Sequence, residues 1–145
     1  MRIHGGFQVS KIKQLGDRIF EKILAERKIE AFNGAQGRIL YVLFQKDGVP
    51  IKTVSEKCGL AITSLTTMLE RMEKGGLIQR RQDAEDKRKT LLYLTDKARD
   101  LEQDYIALSE QMGDIYYQGF TPEEVKACEE YLDRIRLNLE RWQAK

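Results

Sequence analysis

The sequence predicts a mainly helical chain that carries a small β element of two or three strands. Over most of its 145 residues, apolar side chains recur at intervals of three and four, which is the spacing of an amphipathic helix. That period is lost between residues 77 and 94, where two short segments are typical of strands. Capping residues mark several helix ends. The fold class is therefore mainly α with a small two- or three-stranded β ribbon.

The first two helices are predicted from their apolar stripes and from one cap. The first helix is expected over residues 7–28 and carries the stripe Ile12, Leu15, Ile19 and Ile23. Asn33 is placed to cap the second helix, with Gln36 in the capping-box position three residues later. This helix is expected to stop at Asp47-Gly48, just before Pro50.

Two shorter helices and two strands follow. The helices are predicted at Lys52–Cys58 and Ala61–Lys74, with Gly59-Leu60 between them and Gly75-Gly76 after the second. The strands are predicted at residues 77–82 and 90–94. The intervening residues 83–89 contain neither Gly nor Pro, so we expect a loop wider than a two-residue turn.

Two long helices complete the prediction. Thr95 is expected to cap a helix over residues 96–118. Thr121, Pro122 and Glu124 then supply a cap, a proline in the first turn and the third residue of a capping box. The last helix carries an apolar stripe made of Val125, Cys128, Leu132, Ile135, Leu139 and Trp142.

The composition argues against an enzyme, a cofactor or a metal site. There is one histidine, His4, and the two cysteines, Cys58 and Cys128, lie far apart without metal-ligand spacing. No phosphate-binding glycine loop is present, and Ser64 has no nearby histidine or lysine to make it a nucleophile. The chain has no signal peptide and no membrane-spanning apolar run, so we expect a cytoplasmic protein with no membrane partner.

Charge is distributed unevenly along the chain. The first 95 residues have a net charge of +7 and the last 50 a net charge of −5, within an overall charge of +2. A basic part joined to an acidic part suggests that one part faces a polyanion. The alternative is that this segregation disappears once the chain folds.

Residues 51–74 have the pattern of a helix-turn-helix. Such a motif needs a small residue at the helix crossing, a turn residue with an unusual backbone angle, and an apolar anchor in the second helix. Ser55, Gly59 and Leu65 meet these needs at offsets of 4 and 6. Core positions on the same faces are expected at Val54, Leu60 and Met68.

The second helix of this motif has a hydroxyl-rich edge made of Thr63, Ser64, Thr66 and Thr67. These residues are poor helix formers, which argues that they serve something other than stability. Short hydroxyl side chains allow a helix to sit close in a major groove and to contact base edges and phosphates. The alternative is a solvated helix face that happens to be rich in threonine.

The predicted ribbon has the features of a DNA-binding wing. Its turn carries Lys87, Arg88 and Lys89, and Arg80 and Arg81 flank it. A cation at such a tip can enter the minor groove, where negative potential is concentrated. One explanation for Asp86 is that it pairs with Arg88 or a nearby arginine and supports the wing. The alternative is a solvated hairpin tip.

The segments Gly76-Leu77-Ile78-Gln79-Arg80-Arg81, Asp86-Lys87-Arg88 and Leu94-Thr95 resemble the wing signature of the MarR (multiple antibiotic resistance regulator) family. The matching pattern is Asp-x-Arg, five variable residues and Leu-Thr, and the resemblance extends over nearly the whole chain.

The resemblance implies a homodimeric winged helix-turn-helix regulator, in particular a repressor of a pseudo-palindromic operator. Residues 32–95 would form the DNA-binding region, and residues 1–31 and 96–145 the helical dimerisation region. Arg71 would contact phosphate or support the wing, and Arg88 would reach the minor groove. The full set expected to bind duplex DNA is Thr63, Ser64, Thr66, Thr67, Arg71, Arg81, Lys87 and Arg88.

Amphipathic helices at both ends of the chain independently favour a dimer, because each must bury its apolar stripe. The residues expected in the intersubunit core are Phe7, Ile12, Leu15, Leu132, Ile135, Leu139 and Trp142. The alternative is an intrachain core built from the same residues.

A second alternative for the function is a helix-turn-helix that binds a protein instead of DNA. Such a motif would need an apolar face on its second helix, whereas the corresponding face here is polar.

The resemblance also implies a small aromatic effector that releases the protein from DNA. A crevice is expected near residues 32–44 and 104–117, where Tyr105, Met112, Tyr116 and Tyr117 are candidates to line it or to form core. Some members of the family respond instead to oxidation of a cysteine near the first helix. This chain departs from that pattern, since residues 1–57 contain no cysteine. Cys128 is expected in packed core, and the reactivity of Cys58 is left open.

Overall fold

The structure, a computed structural model, describes residues 1–145 and contains seven helices and three strands. In chain order they are α1 (Gly5–Glu26), α2 (Gly34–Gln45), β1 (Val49–Pro50), α3 (Ile51–Cys58), α4 (Ile62–Lys74), β2 (Ile78–Gln82), β3 (Thr90–Leu94), α5 (Asp96–Arg99), α6 (Glu102–Tyr116) and α7 (Pro122–Gln143). The chain divides into two compact units, residues 1–109 and residues 110–145. None of the seven helices combines the length and the hydrophobicity that a bilayer span requires.

The core of the first unit is built around α2. Ile39, Leu40 and Leu43 of this helix are almost completely buried. The Asn33 side chain accepts a hydrogen bond from the Gln36 backbone N–H, and the Gln36 side chain accepts one from the Asn33 N–H. The predicted capping box is thereby confirmed, and it satisfies backbone donors at the start of the helix. The remaining fully buried large side chains of this unit are Val54, Leu65, Leu69, Met72, Ile78, Leu92 and Leu108.

The three strands form one antiparallel sheet in the order β1-β3-β2. Ile78 pairs with Leu94 and Gln82 with Thr90, which confirms the two predicted strands and the wide loop at residues 83–89. The third strand, β1, pairs Val49 with Leu92 at the other side of β3. Pro50 is tolerated there because an edge strand needs no backbone donor on its outer side.

The predicted helix over residues 96–118 is wrong as a single element, because the structure breaks it between α5 and α6. The Leu101 N–H bonds to the carbonyl of Ala98, three residues back, which tightens the backbone at the break. Lys97 and Arg99 of α5 are held by contacts with residues 75 and 47. These contacts join residues distant in the sequence, so local apolar spacing did not reveal them.

In the second unit, α7 begins at the predicted capping box. The Thr121 hydroxyl accepts from the Glu124 N–H, the Glu124 carboxylate accepts from the Thr121 N–H, and Pro122 occupies the first turn. None of the residues of α7 is buried. The prediction that Cys128 lies in packed core is therefore wrong: this side chain is half-buried, because no neighbouring element covers α7 completely.

Candidate nucleic-acid interface

The turn between α3 and α4 has the backbone that the sequence pattern predicts. Gly59 adopts a φ of +67°, in the left-handed region that glycine enters without steric cost. The Ser55 hydroxyl donates a hydrogen bond of 2.6 Å to the carbonyl oxygen of Leu60, which fixes the exit from this turn. Leu65 is fully buried and anchors α4 in the core. Residues 51–74 therefore form a helix-turn-helix.

Helix α4 separates an apolar face from a polar one. Leu65, Leu69 and Met72 are buried, whereas Leu60 and Met68, also expected in the core, are half-buried. The residues predicted to bind DNA from this helix are all exposed: Thr63, Ser64, Thr66, Thr67 and Arg71. The structure thus brings these five side chains together on the solvent side of α4.

One of these hydroxyl groups already has a partner. The Thr66 hydroxyl donates a 2.8 Å hydrogen bond to the carbonyl oxygen of Ile62, one turn earlier in the helix. Its hydrogen is therefore committed to the backbone, while its lone pairs and methyl group remain available.

The end of α4 is tied to the first wing strand by an ion pair that the sequence did not reveal. A Glu73 oxygen lies 2.9 Å from Nη2 and 3.3 Å from Nε of Arg80. The Arg80 hydrogen bonds hold the pKa of Glu73 below its ordinary value, so the carboxylate stays ionised at neutral pH. Arg80 therefore faces a carboxylate of its own chain.

The wing tip is organised by Asp86. Its Oδ1 accepts hydrogen bonds from the backbone N–H and the Nε of Arg88, each at 3.1 Å. These hydrogen bonds also lower the pKa of Asp86. The Arg88 side chain remains 92% exposed, and Lys87 and Lys89 are exposed beside it. The tip thus presents three cations, of which the middle one, Arg88, is held by Asp86.

Arg81 has two neutral neighbours on the ribbon. Its guanidinium carbon lies 4.7 Å from the centre of the Tyr93 ring, and its Nη2 donates a 2.9 Å hydrogen bond to the Gln79 side-chain oxygen. The contact of Gln79 and Tyr93 with Arg81 was not predicted from the sequence, since neither residue is charged or part of a repeat.

A joint between the wing and α5 was also missed from the sequence. Asp47 accepts a 2.8 Å hydrogen bond from the Leu94 N–H and forms an ion pair with Arg99.

A second group of contacts attaches α5 to the end of α4. The Thr95 hydroxyl donates to the carbonyl of Gly76 at 2.6 Å and accepts from the Ala98 N–H at 3.2 Å. The Lys97 ammonium donates to the carbonyl of Gly75 at 2.9 Å. Helix α5 is thereby attached to the end of α4 and to the loop before β1.

The residues expected at a dimer interface lie outside the core of the chain. In α1, Phe7 is 74% exposed, and Ile12 and Leu15 are also exposed. In α7, Trp142 is 74% exposed, and Leu132, Ile135 and Leu139 are exposed to a smaller extent. These apolar side chains are therefore exposed in the single chain.

Aromatic rings gather around Tyr105 near the expected crevice. The Tyr105 ring centre lies 6.2 Å from that of Phe32, 5.8 Å from that of Tyr41 and 6.0 Å from that of Phe44. Burial raises the pKa of Tyr105. Half-burial likewise raises the pKa of the Cys58 thiol, which keeps it protonated at neutral pH.

Two open clefts adjoin the loop between α1 and α2. One, of about 510 Å³, is lined by residues that include Glu21, Phe32 and Gln36. The other, of about 470 Å³, includes Arg27, Leu101 and Asp104. Neither of these clefts is lined by Tyr105, Met112, Tyr116 or Tyr117, the residues considered from the sequence. No group of three or more His, Cys, Asp or Glu side chains is placed to hold a metal ion.

Comparisons with known proteins agree with this geometry. Residues 32–90 match the model of the MarR family. The chain is 29% identical over 119 residues to the HTH-type transcriptional regulator TtmR of Methylorubrum extorquens (strain PA1), covering 82% of this chain and 58% of that protein. This chain therefore spans little more than half the length of TtmR.

Solved structures show the same fold. A MarR protein from Peptoclostridium difficile DA00132 superposes with a TM-score of 0.88 at 20% identity, covering 100% of this chain and 94% of the other. A mutant MarR from E. coli, crystallised with operator DNA, superposes with a TM-score of 0.78 at 21% identity, covering 90% and 91% of the two chains. Together with the helix-turn-helix and the wing, the family match over residues 32–90 and these superpositions show that the chain has the winged helix-turn-helix fold of the MarR family.

Proposed function

We propose that this protein is a cytoplasmic homodimer that represses transcription by binding a pseudo-palindromic operator, and that a small aromatic effector releases it. The observation that carries this proposal is the exposed hydroxyl face of α4 beside a cationic wing. Two such heads related by a two-fold axis would match the symmetry of a palindromic site.

The proposed DNA contacts differ between α4 and the wing. Thr63, Ser64, Thr66 and Thr67 would contact base edges and phosphates in the major groove. Arg71, one turn further along the exposed face of α4, would contact phosphate. At the tip, Lys87 would contact phosphate, and Arg88, oriented by Asp86, would enter the minor groove.

The proposed dimer uses the apolar residues that α1 and α7 leave exposed. Soluble proteins seldom expose large apolar side chains in periodic sets without a partner. In this proposal residues 1–31 and 96–145 form the dimerisation region and residues 32–95 the DNA-binding region. The exposure of Phe7 and Trp142 supports a partner for both helices.

The proposed effector is an aromatic molecule with an acidic group. The rings of Phe32, Tyr41 and Tyr105 offer apolar contact, and Tyr41 is 48% exposed. Arg38 lies on the same helix as Tyr41 and is held at 2.9 Å by Asp17 of α1. A carboxylate ligand would compete with Asp17 for Arg38 and loosen the contact between α1 and α2. Thermal-shift measurements with substituted benzoates test whether such ligands bind. Titrations of DNA with the ligands that bind then test whether they release the protein. Ligands that raise the melting temperature yet leave DNA bound would contradict release.

Selection of bound duplexes from a random pool tests the DNA-binding proposal most directly. We expect an enriched site with two inverted half-sites whose centres lie about one helical turn apart. A reporter placed downstream of that site should be repressed when the protein is produced. Enrichment of a single half-site would contradict the dimer, and activation of the reporter would contradict repression. A folded protein that retains no duplex at low salt would contradict DNA binding and favour a protein partner.

A further inference from the structure

The three arginines of the wing differ in the charge of their partners. Arg80 is paired with the Glu73 carboxylate and Arg88 with the Asp86 carboxylate. Arg81 instead contacts the neutral side chains of Gln79 and Tyr93. Its positive charge is therefore not offset by an ion pair within the wing.

The strand register explains why Gln79, Arg81 and Tyr93 meet. Gln79 pairs directly with Tyr93 across β2 and β3, and Arg81 is two residues further along β2, on the same face. A diagonal neighbour at this separation is within reach of long and aromatic side chains. The three side chains thus form one row on a single face of the ribbon, which we call the Arg81 row.

The Tyr93 ring is itself fixed by the turn before β1. Gly48 adopts a φ of +68°, and a Cβ placed on it would lie only 3.0 Å from Cε1 and 3.2 Å from the hydroxyl oxygen of Tyr93. The turn therefore needs glycine both for its backbone angle and for the space taken by the ring. The adjacent Asp47 accepts a hydrogen bond from the Leu94 N–H, which holds the end of β3 at this turn.

We infer that Arg81 is a second anchoring cation of the wing, which contacts a DNA phosphate, and that Tyr93 and Gln79 are positioning residues that act through it. A guanidinium has five N–H donors in a rigid plane, so one hydrogen bond to Gln79 leaves the others for a bidentate contact with phosphate. The ring beneath it restricts its rotamers before DNA arrives, which reduces the entropy lost on binding. Arg80 lacks this role because the Glu73 carboxylate beside it would repel a phosphate. This inference rests on the proposed binding of duplex DNA.

Fluorescence anisotropy with the duplex selected from the random pool, and with a scrambled duplex of equal length, tests the inference. The salt concentration is varied from about 50 to 200 mM. Arg81→Ala should weaken binding to both duplexes and reduce the slope of log K against log salt by about one. Arg81→Lys should restore the slope but only part of the affinity, because an ammonium lacks the planar fork. Arg80→Ala is the matched control, and we expect it to change the slope much less.

The positioning residues are tested in two backgrounds. Tyr93→Leu should weaken binding about two- to five-fold in the otherwise unchanged protein and have no further effect in the Arg81→Ala variant. Tyr93→Phe keeps the ring and should bind as the unchanged protein does. Gln79→Ala, at an exposed position, should show a smaller loss with the same dependence on Arg81, and it replaces Tyr93→Leu if that variant fails to fold.

The outcomes separate the inference from the function on which it rests. Equal losses from Tyr93→Leu in both backgrounds would show a purely structural role and overturn the positioning assignment. An Arg81→Ala variant with unchanged affinity and slope, alongside an Arg88→Ala variant that loses both, would overturn the phosphate contact while leaving DNA binding intact. A protein that binds neither duplex would overturn both proposals.

Discussion

At the scale of single residues, the hydroxyl groups on α4 are not equivalent. The Thr66 hydroxyl donates its hydrogen to the Ile62 carbonyl, so in a DNA complex this residue would offer a methyl group and an acceptor. A threonine methyl group can contact the methyl group of thymine in the major groove. Thr66 therefore suits apolar recognition better than hydrogen-bond donation.

This arrangement predicts opposite effects for two small substitutions. Thr66→Val retains the methyl group and should preserve base preference at the contacted position. Thr66→Ser retains the hydroxyl but not the methyl group, and it should relax that preference by about 1 kcal/mol while random DNA is bound as before. Affinities for a set of singly substituted operators measure the effect. If Thr66→Val and not Thr66→Ser altered the preference, the hydroxyl would be the reading group.

The wing-tip pair predicts different results for its two members. Arg88→Ala should weaken binding to all duplexes and lower the salt slope by about one. Asp86→Asn removes the negative charge but keeps the Oδ1 acceptor, so it weakens the brace on Arg88; affinity for random DNA should be kept or raised while selectivity falls. Anisotropy titrations with cognate and random duplexes measure both changes. Equal loss on both duplexes for Asp86→Asn would show that Asp86 does more than orient Arg88.

The same pair sets an expectation for pH. The Arg88 hydrogen bonds hold the pKa of Asp86 in the folded protein below its ordinary value. The pairing is therefore complete above that value and is lost only as the pH falls through the lowered pKa. Between about pH 6 and 8, binding should not vary through this group. A titration of Asp86 within that range, followed by NMR in the free protein, would contradict this account.

At the scale of elements, the four-residue helix α5 connects more structure than its length suggests. Its cap Thr95 bonds to the end of α4, Lys97 covers another carbonyl there, and Arg99 pairs with Asp47. These contacts satisfy carbonyl groups that the end of α4 would otherwise leave to solvent. Helix α5 therefore fixes the end of α4 relative to the β2–β3 ribbon.

Replacing Thr95 tests this connection. Thr95→Ala removes a donor to Gly76 and an acceptor for the Ala98 N–H, so it should lower the free energy of unfolding by about 1–2 kcal/mol. Thr95→Ser keeps the hydroxyl and serves as the control. Urea denaturation measures the difference. If the serine and alanine variants were equally destabilised, packing of the methyl group rather than the hydroxyl bonds would explain the loss.

At the scale of the whole molecule, the last helix has no buried residue in the single chain. A helix of 22 residues whose apolar stripe stays in water has little to stabilise it beyond its own backbone. Pairing of chains through α1 and α7 would bury these stripes and would also set the spacing of two reading helices. Stability and operator recognition would then depend on the same interface.

A charge placed in the α7 stripe tests that dependence. Ile135→Glu should shift the protein towards monomer and weaken binding to a two-half-site operator at least ten-fold, because each head then binds alone. Asn138→Glu adds the same charge at an exposed polar position of the same helix and is the control. Light scattering after gel filtration measures the mass. A dimeric Ile135→Glu protein would place the interface elsewhere.

The sequence by itself determined the features that depend on neighbouring residues. The capping boxes at Asn33 and Thr121, the turn at Gly59 and the strands flanking residues 83–89 were all predicted correctly, because each is set by interactions within a few positions. The exposed face of α4 followed from the apolar anchors on its other side.

Only the tertiary structure decided which charges of the wing are free. Arg80 and Arg81 are adjacent in the sequence, and only Arg81 was expected to bind DNA. In the folded chain, strand alternation turns Arg80 towards Glu73 of α4 and Arg81 towards Tyr93 of β3. The break after α5 and the Asp47–Arg99 pair likewise depend on residues about fifty positions apart. Such contacts arise from packing between elements, and no local period or spacing encodes them. The winged helix-turn-helix was therefore predicted from the sequence, whereas the different partners of its arginines were visible only in the folded chain.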